Sequence, residues 1–239
     1  MKQHLACSLV AAGISLLTLA GYAQTPIESL PFIVTKPGKY FFTKDLTVGN
    51  SNVGIAILDV SDVTIDLNGF YLRSPGPYND QNGIVASNAD NVVIQNGNFG
   101  RFQLGAVALD HCHGCLLQNL NVTDFRYLGI DLNVCTDSIV TNCEVRRATA
   151  VQNDYDQTGI KLTGGSGNLV VNTRVSGILT KAGINGIKST GTNYFQGDYL
   201  SNCMTGISMS ATDKYRVITT SNCLTATITG GIDVDNKSN

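Results

Sequence analysis

The chain has no tryptophan, three methionines and five prolines, and only 14% of its residues are charged. Each scarcity excludes something. Without tryptophan, the broad indole platform for stacking a sugar ring is missing, and only tyrosine and phenylalanine are left for that part. With charge so sparse and a formal net charge of -2, the basic patch of a nucleic-acid binder is absent, and nucleic acid is not an expected partner. No Pro- or Ser-rich stretch divides the 239 residues, so one domain around one core is expected. No apolar run reaches the roughly 20 residues that a membrane span needs.

The longest such run, Leu9 to Leu19, is broken by Gly13 and Ser15. With Lys2 before it and the small residues of Gly21-Tyr22-Ala23 after it, it reads as a secretory leader. The mature chain is then expected to start at Gln24, to lie in a secreted or periplasmic setting and to have no membrane span. Of the seven cysteines, Cys7 precedes the apolar run, which gives no lipid-anchor signal, and six follow the leader. An even number in an oxidising compartment favours disulfides over free thiols or zinc.

What is abundant is repetition. A Gly-Ile or Ala-Val step recurs at Gly54, Gly83, Ala106, Gly129, Gly159, Gly186, Gly206 and Gly231, about 25 residues apart. Within each repeat the apolar residues alternate with period two, which places them on one face of a strand. A first inward column holds Ile55, Ile84, Val107, Ile130, Ile160 and Ile187. Nine residues after the step a second strand begins with Val63, Val92, Cys115 and Ser138, followed two places on by Ile65, Ile94, Leu117, Val140 and Val170. A third strand contributes Phe70, Phe99, Val122, Val145 and Val175. Short strands stacked on copies of themselves make a solenoid of parallel sheets around one apolar core. Three residues before the third-strand column stand Asn96, Asn119, Asn142 and Asn172. They read as an asparagine ladder, in which left-handed turns stack buried amides on one another. It ends at Leu67 below and Gly197 above.

The segment Val63-Thr64-Ile65-Asp66-Leu67-Asn68-Gly69-Phe70, following Ile33-Val34-Thr35-Lys36-Pro37-Gly38-Lys39-Tyr40 and followed by Gly-Ile coils with Asn turns, resembles bacterial right-handed parallel β-helix proteins of the pectin-lyase-like superfamily. The resemblance spans nearly the whole mature chain. It implies an all-β, right-handed parallel β-helix of about eight coils over 49–234, with N-terminal cap strands over 24–48, a leader over 1–23 and an unstructured tail over 235–239. It implies no single activity, because the superfamily holds lyases, hydrolases, epimerases and adhesins.

In such enzymes the substrate lies along one face across several coils, so the outward residues of the first strand are the candidate site. Two places past each step they are Ala56, Val85, Ala108, Asp131, Lys161, Lys188, Ser208 and Asp233, and four places past it Leu58, Ser87, Asp110, Asn133, Thr163 and Thr190. With coils about 4.8 Å apart, Asp110 and Asp131 lie about 8 Å apart diagonally, a separation suited to an inverting glycosidase pair. Lys188 stacks on Lys161, and repulsion between two ammonium groups can turn one into the base a lyase needs. The alternative is a solvated column with one Asp-Lys pair. Two long insertions, Arg73 to Gln81 and Arg146 to Gln157, border this strand, and their Asp80, Asp154 and Asp156 are candidate ligand contacts. The hydrolase motifs of polygalacturonase-like proteins are missing apart from His113-Gly114 and a Gly-Ile-Lys step. Neither a metal nor a cofactor is called for. Phe102, Phe125 and Tyr127 are expected to be exposed, without forming a platform.

Cys112 and Cys135 both lie six residues after their steps and therefore stack one coil apart, within the Cα range of a disulfide. That pairing is favoured over a zinc site in which Cys135 and Cys143 complete the His111-Cys112-His113-Gly114-Cys115 segment, and over a stack of reduced cysteines. Cys203 and Cys223, each ending a Ser-Asn-Cys triplet, are a second expected bridge. The function this suggests is non-catalytic binding of a polysaccharide along the elongated face. A polysaccharide lyase or glycoside hydrolase using Asp110, Asp131, Lys161 and Lys188 is the alternative.

Overall fold

The computed structural model describes residues 24–49, 51–76, 81–146, 157–178 and 185–234, with only the backbone of Thr225–Thr229. The expected leader over 1–23, the expected tail over 235–239 and residues Asp80, Asp154 and Asp156 lie outside the described residues. Among the described residues every regular element is a β-strand, and all pairings between named strands are parallel. A small sheet of nine strands runs from Phe32–Val34 through Val53–Leu58, Gly105–Asp110 and Leu128–Asn133 to Thr225–Thr229. A large sheet of 16 strands carries the second and third strand of every coil. The first strands of the chain continue this register: Phe32 pairs with Ile55, Tyr40 with Ile65 and Leu46 with Leu72, while Gln24–Ile27 adds to Gly38–Phe42.

The inward columns hold the core. Ile55, Ile84, Val107, Ile130, Ile160, Ile187 and Ile207 stack in register and are all fully buried. The glycine of each step exists for space rather than for backbone freedom. A Cβ on Gly83 or Gly129 would lie 2.4 Å from the carbonyl oxygen of the next coil, and Val145, Val175 and Leu200 of the third strand press into the gaps left at Gly129, Gly159 and Gly186. Phe102 fills the same space against Gly83.

Four expectations change here. Leu72, not Phe70, pairs with Phe99 in the third column, because the corner Leu67-Asn68-Gly69 holds two more residues than its counterparts and swings Leu67 into the core. The last step is displaced: Ile228 pairs with Ile207 and Thr229 with Ser208, whereas Ile232 and Asp233 pair with Lys214 and Tyr215 in the large sheet, so Asp233 does not continue the small-sheet column. Phe102 and Phe125 are buried rather than exposed, since the glycine steps leave pockets for rings. The asparagine column is not an interior ladder. Asn96, Asn119, Asn142 and Asn172 have φ between 51° and 56°, as a tight corner requires, but the corner turns Asn119, Asn142 and Asn172 out to solvent. Amide stacking survives only in the lower coils, where Asn119 donates to Asn96 at 3.0 Å and Asn96 to the carboxylate of Asp66 at 3.1 Å.

The interior also holds a chain of polar side chains. The second-strand column reads Val63, Val92, Cys115, Ser138 and then Asn168, Asn193 and Asp213, all buried. Three of these side chains accept from the backbone of the coil below: Cys115 N–H donates to Ser138 Oγ, Ser138 N–H to Asn168 Oδ1 and Asn193 N–H to Asp213 Oδ1, while Asn193 Oδ1 accepts from Asn168 Nδ2. These bonds satisfy corner amides that apolar side chains would leave unpaired.

Candidate functional site

The outward face of the small sheet carries the expected residues in the expected register. Ala108, Asp131, Lys161, Lys188 and Ser208 stack in one column, and Asp110, Asn133 and Thr163 in the next. Strand alternation is responsible, because the neighbours Ile130, Leu132, Ile160 and Leu162 are fixed in the core and force the residues between them outward. Each of the four charged residues is half-buried.

Asp110 and Asp131 sit in opposite environments. Asn133 Nδ2 donates to Asp110 Oδ1 at 2.6 Å and His111 Nδ1 lies 3.1 Å from Oδ2. These contacts, the Asn133 bond first, hold the Asp110 carboxyl below the usual carboxylate range. Asp131 has no such partners. Burial pushes its carboxyl up, the Coulombic pull of Lys161 opposes this, and the charge of Asp110 adds to it. Its Oδ1 is buried without a hydrogen bond, a rare condition in a folded protein. Asn133 and His111 are site residues that the search for charges missed. Their signal was legible, since Asn133 stood in the outward column and His111 follows Asp110 at a corner.

Both insertions are anchored at a buried glutamine. Gln81 Nε2 donates to the carbonyls of Gly49 and Ser51, and Gln157 Nε2 to that of Arg126. These bonds fix where each insertion rejoins the small sheet.

The expected disulfides are not formed: all six described cysteines are free. Cys112 does stack on Cys135 and Cys203 on Cys223, as the flanking pairs His113–Thr136 and Ser201–Ser221 require. In-register side chains of parallel coils point the same way, which keeps their Cβ atoms about 4.8 Å apart, whereas a disulfide needs about 3.8 Å. The thiols instead face main-chain carbonyls, Cys135 Sγ lying 3.5 Å from Leu109 O and Cys203 Sγ 3.4 Å from Ser201 O. Burial pushes the Cys143 thiol up to about 11 and that of Cys203 to about 12.

Two cavities, of about 660 and 360 Å³, open on the outward face of the large sheet. The first lies over Lys39, Thr64, Asp66, Gln95, Leu116 and Gln118, the second over Leu169, Tyr194, Gln196, Lys214 and Arg216.

A parallel β-helix with a polar face crossing successive coils is thus the class that fold and site define. The chain belongs to the family described as right handed beta helix region, whose profile matches residues 33–152 and 82–239. No curated protein matches the chain. Among solved structures, the Streptococcus pneumoniae surface protein and adhesin PfbA aligns at 10% identity over 85% of this chain and 71% of that one, with a TM-score of 0.40. A second PfbA structure aligns at 8% identity over 84% of each chain, with a TM-score of 0.41. The A-module of the Azotobacter vinelandii mannuronan C-5 epimerase AlgE6 aligns at 9% identity over 89% of this chain and 86% of that one, with a TM-score of 0.23. These similarities concern fold alone.

Proposed function

We propose that the chain is an exported β-helix that binds a polysaccharide along the outward face of the small sheet without turning it over. The observation that carries this reading is the unpartnered Oδ1 of Asp131, in the middle of a polar patch that spans several coils. A buried acceptor without a donor costs stability in the free protein, and rotation of the half-buried carboxylate would bring that oxygen to a sugar hydroxyl as its missing donor. Asn133, Thr163 and the lysines lie around it at coil spacing, which suits a chain of repeating units. The leader-like start of the sequence supports export.

The signature of a binding acceptor is a trade of stability for affinity. Asp131→Leu should raise the stability of the free protein by about 1 kcal/mol while weakening binding to a glycan panel by tenfold or more. Lys161→Ala and Lys188→Ala should weaken binding a few-fold, and less so at high salt. An Asp131→Leu variant that binds as the wild type does would overturn the reading.

The split between Asp110 and Asp131 favours a second reading. One carboxylate held ionised beside another pushed towards protonation is the arrangement of a general base and a general acid. Release of reducing ends or of unsaturated uronate by the wild type, lost in Asp131→Asn, would replace binding with catalysis.

A further inference from the structure

We propose that the outward face of the large sheet is a second carbohydrate-binding groove, specific for an uncharged glycan lying along the solenoid axis. It is independent of the small-sheet face, and the two together would let one chain bridge two polymers.

The groove follows from two adjacent outward columns with different chemistry. One is apolar where polar residues are the rule for an outward strand position: Val93, Leu116, Ile139, Leu169 and Tyr194 stand in unbroken register, with Ile139 37% and Tyr194 40% exposed. The other carries an amide ladder in its lower coils and runs on through Thr141, Val171 and Gln196 to Arg216. Gln118 Nε2 donates to Gln95 Oε1, and Gln95 Nε2 to Asp66 Oδ2, each at 2.7 Å. Both cavities open over these same two columns, one at each end.

An apolar stripe beside a ladder of fixed amides matches a glycan, whose ring faces are C–H surfaces and whose edges are hydroxyls. Each ladder glutamine keeps one N–H and one carbonyl lone pair for a ligand. The coil repeat of about 4.8 Å offers these groups at regular intervals. Charge points to an uncharged ligand. Asp66 is already satisfied by Gln95, Asn96 and the Asn68 N–H, and the cations stand at the ends, Lys39 at one and Lys214 and Arg216 at the other, so the residues between them, Gln95, Gln118, Thr141 and Val171 beside Val93, Leu116, Ile139 and Leu169, carry no charge. An extended peptide fits less well, because it pairs with an open sheet edge, whereas these strands are hydrogen-bonded on both sides.

The test uses the full chain with neutral gluco-, xylo- and manno-oligosaccharides, followed by calorimetry at low and high salt. At least one series should bind with an affinity that changes less than about twofold with salt. Tyr194→Ala and Leu116→Asp should each weaken it by about tenfold or more, with circular dichroism unchanged, while Lys161→Ala and Lys188→Ala leave it as it was. Failure of every neutral series to bind, or wild-type affinity in both groove variants, would overturn the groove and leave the small-sheet reading standing. Loss of neutral-glycan binding in Asp131→Leu or Lys161→Ala alone would assign that ligand to the small sheet, and would equally overturn it.

Discussion

The lower and upper coils of this solenoid hold themselves together by different means. In the lower coils the interior columns are wholly apolar, as at Val63, Val92, Leu72 and Phe99, and the amide ladders lie outside, ending on Asp59, Asp62 and Asp66. In the upper coils the same columns turn polar. Asn168, Asn193 and Asp213 replace the valines, and Leu120 gives way to Cys143, Thr173 and Asp198. The lower half is therefore held by shape and burial, which tolerate variation of similar volume. The upper half depends on individual hydrogen bonds, whose loss leaves buried groups unsatisfied.

The largest effect should come from the lower core. Phe99→Ala is expected to cost about 3–5 kcal/mol, measured by urea denaturation, whereas Phe99→Leu should cost far less. Asn168→Ala should cost about 2–4 kcal/mol, because Ser138 N–H, the Cys135 carbonyl and Asn193 Oδ1 all lose their partner. Asn168→Leu, which restores volume, should not rescue it. Rescue by leucine would erase the distinction between the halves.

Asp198 makes the upper coils sensitive to alkali. Its Oδ1 accepts from the Thr173 N–H and its Oδ2 has no partner; at 1% exposure, burial pushes its carboxyl up to about 8. The folded pKa lies above the unfolded value of about 3.9, so between the two the folded state binds the extra proton. Stability is then full below about pH 4, falls as pH rises towards 8 and levels off above it. Asp198→Asn should flatten this slope and raise stability at pH 9 by about a few kcal/mol. A variant whose pH profile matches that of the wild type would place the carboxylate in contact with water.

Smaller effects are expected at the corners and the thiols. Asn142→Ala should cost about 1 kcal/mol, the strain of a left-handed alanine, and Asn142→Gly close to nothing, because the amide faces solvent. Alkylation of the unfolded chain without reductant should label all six cysteines from Cys112 to Cys223, and reductant should leave the melting temperature unchanged. Mapping a Cys112–Cys135 or Cys203–Cys223 bridge would reverse the assignment of free thiols.

Most of the architecture was legible because a coil repeats. Residues one period apart must stack, so the Gly-Ile spacing set the register of Asp110, Asp131, Lys161 and Lys188 before any coordinate was known. Legibility failed where a coil departs from the period, as at Leu67-Asn68-Gly69 and at Gly231-Ile232, since a period carries no information about its own exceptions. It failed again for exposure: the pattern predicts interior asparagines and exterior Phe102 and Phe125, the reverse of their placement, because spacing says which residues share a column but not which way a corner turns them.

By itself, then, the sequence determined the strand period, the stacking of columns and the identity of the outward charges on the small sheet. Those follow from alternation and repetition, which are local properties of the chain. Only the tertiary structure decided that stacked cysteines remain thiols, that Asp110 is held ionised while Asp131 is left with an unpaired oxygen, and that two cavities open on the outward face of the large sheet. Each of these depends on the direction of a side chain and on what the neighbouring coil presents to it, to within an ångström, and no one-dimensional spacing encodes that.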